Sequence, residues 1–324
     1  MIKRVQCELC PNECVLENGQ HSRCRARMNK DGTLYSLVYG KPCAVHVDPI
    51  EKKPFFHFLP GTTAFSIATA GCVLSCKFCQ NWQISQAKPE ETDNYDLPPD
   101  KVVSQAIAYK CRSVTYTYTE PTVFYEYMYD TAVIAKKQGI KNTMHSCGYI
   151  KEKPLRKLSR YMDAADIDLK AFTEDFYSKI CSGSLKPVLN SLVVLKEEGV
   201  WLEITNLVIP TLNDDMKNIK EMCKWILKNL SSDVPIHFSR FFPQYKLTNL
   251  PPTPLETLIE ARKTAMDVGL KFVYIGNIRQ EGESTFCPKC KRLLIERIGY
   301  FVKQNNISNG KCRFCSTSIP GVWS

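Results

Sequence analysis

The chain has 324 residues, 44% of them hydrophobic, and carries 43 Lys and Arg against 33 Asp and Glu for a net charge of +10. With 15 Phe, 15 Tyr and 4 Trp it can bury a core, which excludes a disordered chain. No run of about 18 apolar residues is present to cross a membrane as a helix. Sixteen cysteines, behind an N-terminus with no apolar leader, predict a cytoplasmic protein that uses its thiols for metal rather than for disulfides.

Four of these thiols come first. Cys7, Cys10, Cys14 and Cys24 predict a Cys-rich N-terminal arm over residues 1–60. Their spacing suits zinc or an auxiliary [4Fe–4S] cluster, with His21 able to replace Cys24, and either metal would fold an arm that has little core of its own. From 61 to 280, strand-like and helix-like stretches alternate. Strands are expected at 63–69, 113–119, 140–146, 165–169, 200–209, 235–241 and 271–275. Helices are expected at 100–110, 122–137, 154–161, 185–199, 216–230 and 254–269. Such alternation predicts an α/β fold of parallel strands with crossover helices, as a partial barrel or a doubly wound sheet. In barrels, chemistry sits at the C-terminal ends of the strands. Tyr116, Tyr118, Tyr125, Tyr127 and Tyr129 read as core packing.

The last unit, 281–324, holds Cys287-Pro-Lys-Cys290 and Cys312-Arg-Phe-Cys315 around an expected hairpin at 292–304. Two C-x-x-C pairs at this separation are close to a zinc ribbon, a closed tetrahedral structural site, with iron as the alternative. Lys291 and Ser316 stand where glycine usually lets the chain turn around sulfur.

Cys72, Cys76 and Cys79 follow the first central strand. Three thiolates at this spacing can bind three irons of a [4Fe–4S] cubane and leave the fourth open. A closed zinc site would need a fourth ligand such as Cys43 or Cys111. With Phe78 just before the last cysteine, the stretch from Ala70 to Trp82 resembles the radical S-adenosylmethionine (SAM) superfamily, on its pyruvate formate-lyase activating-enzyme branch. Further strings make the whole chain similar to the radical SAM member of the AmmeMemoRadiSam system. These are Asp-Pro-Ile-Glu-Lys-Lys-Pro at 48–54, Tyr-Thr-Glu-Pro-Thr at 118–122, Asp-Ile-Asp-Leu-Lys at 166–170 and Thr-Asn-Leu-Val-Ile-Pro at 205–210. His-Phe-Ser-Arg-Phe at 237–241 and Ile-Pro-Gly-Val-Trp at 319–323 complete them.

The resemblance implies a partial (β/α)6-type radical SAM barrel with Cys-rich N-terminal and C-terminal appendages. The implied cofactors are a [4Fe–4S] cluster at Cys72, Cys76 and Cys79, SAM on its open iron, and zinc. Reductive cleavage of SAM would give a 5′-deoxyadenosyl radical that takes hydrogen from an unidentified small-molecule or peptide substrate. The resemblance sets Phe78 near the adenine, and Thr119 and Glu120 at the turn facing the SAM ammonium. Ser146 and Cys147 fall at a neighbouring turn, with Asp168 and Lys170 beside SAM. Thr205 and Asn206 stand where relatives hold the ribose or carboxylate with Arg, and His237 is a polar position on the sixth strand. Lys52, His57 and Cys147 are the candidates to reach substrate. Implied partners are a flavodoxin- or ferredoxin-like electron donor and Memo-type and Ammecr-type proteins. An activase that installs a glycyl radical in a partner enzyme is the second reading. A non-enzymatic zinc protein that binds nucleic acid is the third, and the dispersed basic residues argue against it.

Overall fold

Residues 63–68 read Thr-Ala-Phe-Ser-Ile-Ala, and all but Thr63 are buried. A strand covered on both faces by helices has this character. The computed structural model describes residues 4–278 and 282–324, so the expected boundary at 280/281 lies outside the described residues. Eight strands form one sheet in sequential order: β1 (Ala44–Pro49), β2 (Thr63–Ala68), β3 (Ser113–Tyr116), β4 (Lys141–Ser146), β5 (Ala164–Asp168), β6 (Trp201–Val208), β7 (Ile236–Arg240) and β8 (Val273–Gly276). β2 through β8 run parallel, as the alternation predicted. β1 was expected in the N-terminal arm. It pairs antiparallel with β2 instead, from Ala44 opposite Ala68 to Pro49 opposite Thr63. Among the described residues no ladder joins β1 to β8, so the sheet stays open there.

Helices Pro99–Ala108, Tyr125–Lys137, Glu152–Ser159, Leu185–Glu197, Met216–Asn229 and Leu255–Val268 make the crossovers. Tyr125–Lys137 buries Tyr125, Met128, Ala132 and Ala135, the spacing that puts one helical stripe on the sheet. Leu255–Val268 ends on Gly269, whose φ of +114° lets its N–H return to Ala265 O. β3 ends earlier than expected because Tyr118 takes φ +65° and turns the chain, and a short 3-10 turn, Pro121–Phe124, precedes the helix. Among the described residues no helix is long and apolar enough to cross a membrane.

The two ends of the chain cap opposite ends of the sheet. At the N-terminal ends of the strands, residues 55–58 cross beneath β6. Glu203 accepts from Phe56 N (3.0 Å), His57 N (2.8 Å) and Trp201 Nε1 (3.1 Å). The C-terminal hairpin, Leu293–Ile298 with Phe301–Asn305, forms as predicted. Its core, with Cys287, Leu294, Ile295, Cys312 and Ile319, is continuous with Phe56, Phe272 and Tyr274. Fully burying a Phe contributes roughly 1.5–3 kcal/mol, so Phe56, buried in this shared core, helps anchor the module to the sheet. Buried Arg297 donates to Phe56 O at 2.6 Å.

Candidate active site

The loop that carries Cys72, Cys76 and Cys79 leaves the C-terminal end of β2 and is pinned from several sides. Ser75 N donates to Cys181 O and Lys77 N to Ile180 O, both at 3.0 Å. Asn12 Nδ2 donates to Val73 O at 2.8 Å, and Lys246 N to Lys77 O at 2.9 Å. Gly71 starts the loop at φ +94°, and a Cβ there would lie 2.3 Å from Cys24 O, so glycine is required on both counts. Cys79 Sγ lies 3.2 Å from Ser85 Oγ. Burial raises the Cys72 and Cys79 thiols. Cys76 is lowered, first by its hydrogen bond with the Cys181 thiol and then, against burial, by the Lys170 ammonium.

The turns after β3 and β4 are tied together by one carboxylate. Glu120 Oε1 accepts from Thr122 N (3.0 Å), Thr122 Oγ1 (2.7 Å) and Ser146 Oγ (2.7 Å), and its Oε2 accepts from Cys147 N (2.8 Å). Glu120 is buried, so these four bonds satisfy its charge away from water. Thr119 Oγ1 donates to Thr69 O at 2.8 Å, which ties this turn to the end of β2.

Alternation along β5 puts Asp166 and Asp168 on one face. Lys170 Nζ lies 2.7 Å from Asp168 Oδ2 and 5.8 Å from the Phe78 ring centroid. Burial opposes ionisation of Asp168, but Lys170 and His145 override it and lower the carboxyl. Burial likewise opposes the Lys170 charge, and Asp168 with the nearby thiols of Cys76, Cys147 and Cys181 holds it raised. Phe78, Cys147 and Asp168 therefore gather around Lys170, which lies beside Cys76.

Other expected residues fall elsewhere. Thr205 Oγ1 donates to Asp166 Oδ2 at 2.7 Å, on the same face as the acids. Asn206, the next residue, takes the opposite face, where its Nδ2 donates to Leu169 O at 2.7 Å and lies against Met222. The two cannot share one ligand through the same face, because consecutive strand residues alternate. His237 is buried, with Nε2 2.8 Å from Glu203 Oε2. Lys52 is half-exposed and bonded to Asp48 at 2.9 Å. His57 is fully buried at the far end of the sheet, with Nδ1 2.7 Å from Pro320 O and Nε2 2.6 Å from Tyr274 OH. Burial lowers it to about 4, so it is a neutral bridge to the C-terminal module and does not reach the cysteine loop.

Sequence reasoning passed over His145 and Cys181. His145 stands between the acids, 3.4 Å from Asp166 Oδ1 and 3.8 Å from Asp168 Oδ1. The first contact is too poorly aimed to satisfy either atom, so His145 Nδ1 and Asp166 Oδ1 remain without a hydrogen bond. Period-two alternation from Thr143 would have pointed to His145. No pattern points to Cys181, which reaches Cys76 from a separate helical turn, Tyr177–Cys181.

Three converging thiols, a buried ammonium beside one of them and unsatisfied polar atoms on the adjoining face fit an iron–sulfur cluster with a polar ligand. The C-terminal quartet fits a single ion. Cys287 and Cys315 Sγ are 3.6 Å apart, and Cys290 and Cys312 Sγ 3.7 Å. Among the described residues these four are the only group of three or more such ligands within 4.8 Å of one another. Lys291 (φ +62°) and Ser316 (φ +58°) make the turns that glycine usually makes, so the missing glycines do not prevent the geometry.

Residues 66–224 match the family model of the Radical SAM superfamily. The chain is 46% identical over 98% of its length to Uncharacterized protein MJ0808 of Methanocaldococcus jannaschii, covering 96% of that protein. It is 26% identical to the pyruvate formate-lyase-activating enzyme of Listeria monocytogenes over 50% of this chain and 68% of that one. In fold it is similar to a radical SAM methyltransferase from Sphaerobacter thermophilus, with a TM-score of 0.54 at 14% identity, covering 86% of this chain and 79% of that one.

Proposed function

The chain belongs to the same family as MJ0808 and carries a Radical SAM superfamily domain, and from that premise we propose that it cleaves SAM reductively at a [4Fe–4S] cluster held by Cys72, Cys76 and Cys79. Bound there, cluster and SAM supply a 5′-deoxyadenosyl radical that takes hydrogen from a small-molecule or peptide substrate. The observation that carries the reading is Lys170, set beside Cys76 with Phe78, Cys147 and Asp168 gathered around it.

The chain's own residues have distinct tasks. Lys170 offsets the negative charge of bound thiolates in a dry site. Glu120 fixes the β3 and β4 turns, so the backbone beside Thr119 and Ser146 is set before a ligand arrives. Asp168, Thr205 and the unsatisfied His145–Asp166 pair offer polar contacts to SAM or substrate. Zinc is the ion proposed for Cys287, Cys290, Cys312 and Cys315, since sulfurs in a tetrahedral Zn–S site with bonds of about 2.3 Å stand about 3.8 Å apart.

The reducing electron requires a flavodoxin- or ferredoxin-type donor. Memo-type and Ammecr-type partners rest on the sequence resemblance alone. The similarity to activating enzymes keeps glycyl-radical activation as the second reading. Anaerobic reconstitution with iron and sulfide, then incubation with SAM and dithionite, tests the main reading. Wild type is expected to release 5′-deoxyadenosine and methionine, and Cys76→Ala to release neither. Undiminished 5′-deoxyadenosine from Cys76→Ala would overturn the assignment.

A further inference from the structure

The N-terminal cysteines form a second convergent set. Cys7, Cys10 and Cys24 are buried, and Cys14 is half-buried. Cys7 N donates to Cys14 O at 2.9 Å, and Glu13 N to Cys10 O at 3.1 Å, which curls residues 7–14 into a compact loop. Cys10 lies in the electrostatic field of Cys7, Cys14 and Cys24, and Cys7 in that of Cys14 and Cys24. The sulfurs have local donors: Leu9 N–H at Cys7, Asn12 N–H at Cys10, and Ser22 Oγ 3.0 Å from Cys24 Sγ. His21 is not needed as a substitute, because Cys24 already joins the set and His21 Nδ1 faces Arg25 O at 3.5 Å.

The spacing of these sulfurs distinguishes two kinds of site. A single tetrahedral ion draws all its sulfurs together, and the C-terminal quartet meets that condition within 4.8 Å. In a cubane each thiolate binds a different iron, so the sulfurs stand apart by the width of the cluster. Among the described residues, neither the N-terminal quartet nor the triplet Cys72, Cys76 and Cys79 has three sulfurs within 4.8 Å of one another. One molecule thus holds two rulers. The quartet at the C-terminus is drawn in to the size of an ion, and the N-terminal quartet and the triplet are both more open than that. This comparison rests on reading the triplet as a cluster site.

We infer that Cys7, Cys10, Cys14 and Cys24 hold a second [4Fe–4S] cluster, fully ligated and packed directly against the catalytic cysteine loop. The contact is made by backbone: Cys24 O occupies the space a Gly71 side chain would need, one residue before Cys72. Asn12 Nδ2 reaches Val73 O at 2.8 Å, and Arg23 Nη2 reaches Ser182 O at 2.6 Å, beside Cys181. Arg27, buried and 2.6 Å from Glu126, faces Cys7 and Cys24 and supplies the cationic neighbour that Lys170 supplies at the triplet.

Full-length protein reconstituted anaerobically with ferrous iron and sulfide provides the test. Wild type is expected to bind about eight irons, as two four-iron clusters, with one zinc at the C-terminus. The Cys72→Ala/Cys76→Ala/Cys79→Ala variant should keep about four irons and lose the EPR change caused by SAM. The Cys10→Ser/Cys14→Ser variant should keep about four and retain that change. Reduced wild type should show spin coupling between the clusters that neither variant shows. Two zincs with about four irons in wild type, or a triplet variant that loses all its iron while binding two zincs, would overturn the inference. These results decide it even if Cys10→Ser/Cys14→Ser fails to fold. Uncoupled signals from two clusters would reject the contact between them. Wild type that takes up no iron at either site would instead bring down the radical SAM assignment.

Discussion

Glu120→Gln tests whether one carboxylate organises the site. The amide oxygen can replace Oε1, which accepts from Thr122 N, Thr122 Oγ1 and Ser146 Oγ. The amide nitrogen must then replace Oε2 and faces the Cys147 N–H, donor against donor. Losing a hydrogen bond to a charged group costs about 1.5–3 kcal/mol, and a buried N–H left unsatisfied adds to it, for about 3 kcal/mol gross. The neutral amide is easier to bury than the carboxylate, which offsets part and leaves about 2 kcal/mol. The loss should be local. At about 1.4 kcal/mol per factor of ten, the Cys147 amide should exchange with deuterium about 30-fold faster, while amides in the C-terminal hairpin keep their wild-type rates. SAM affinity should fall in parallel. A Cys147 amide that exchanges within about twofold of wild type would refute the four-bond geometry.

Three further outcomes follow from the same structure. Cys290→Ser should remove one metal per chain and leave the iron content intact, and Trp323 fluorescence should report loosening of the module core; retained metal would count against the tetrahedral site. His57, held near 4 in the folded chain against 6.5 unfolded, stays neutral in the native state, so the unfolded chain binds more protons between these values. Stability present above pH 6.5 should therefore fall as pH drops toward 4, by up to roughly 3 kcal/mol, and His57→Gln should flatten that slope; equal slopes would place the titrating group elsewhere. Lys170→Met removes the buried cation beside Cys76, so the catalytic cluster should be harder to reduce, seen as a more negative midpoint potential, and an unchanged potential would show that Lys170 does not act on it.

The sheet was legible because alternation of strand and helix patterns is a local signal, and the crossovers of Tyr125–Lys137 and Leu255–Val268 obey it. β1 was not, since Ala-Val-His-Val-Asp-Pro is a short strand on an open edge with little buried surface. The cysteine triplet was legible because its three proposed ligands are neighbours in sequence. Its surroundings were legible only where resemblance supplied them. His145 reaches the site from another strand and Cys181 from a helical turn about a hundred residues on, and neither placement follows from spacing. The Thr205–Asn206 pair shows the opposite failure. The resemblance suggested polar contacts from both to one ligand, and strand alternation turns them to opposite faces.

The arrangement of the metal sites also follows from the sheet. Strand C-terminal ends must stay polar and accessible for chemistry, so the fold cannot close them with an apolar cap. The N-terminal arm, with few apolar side chains, covers part of this end by hydrogen bonds from Asn12, Arg23 and Arg25 and by the Cys24–Gly71 contact. The opposite end needs no access, and there Phe56, His57 and Tyr274 pack under the C-terminal module. The proposed metals would do different work at the two ends. At the C-terminus an ion would fold a small hairpin in which Cys287 and Cys312 are buried and Cys290 and Cys315 partly exposed, so solvent screens part of the thiolate charge. At the N-terminus thiolates would be buried beside the catalytic loop, and the fold places Arg27 and Lys170 there to balance them. A cation set beside each of these two thiol groups is what the low dielectric of the interior demands if they bind metal as thiolates.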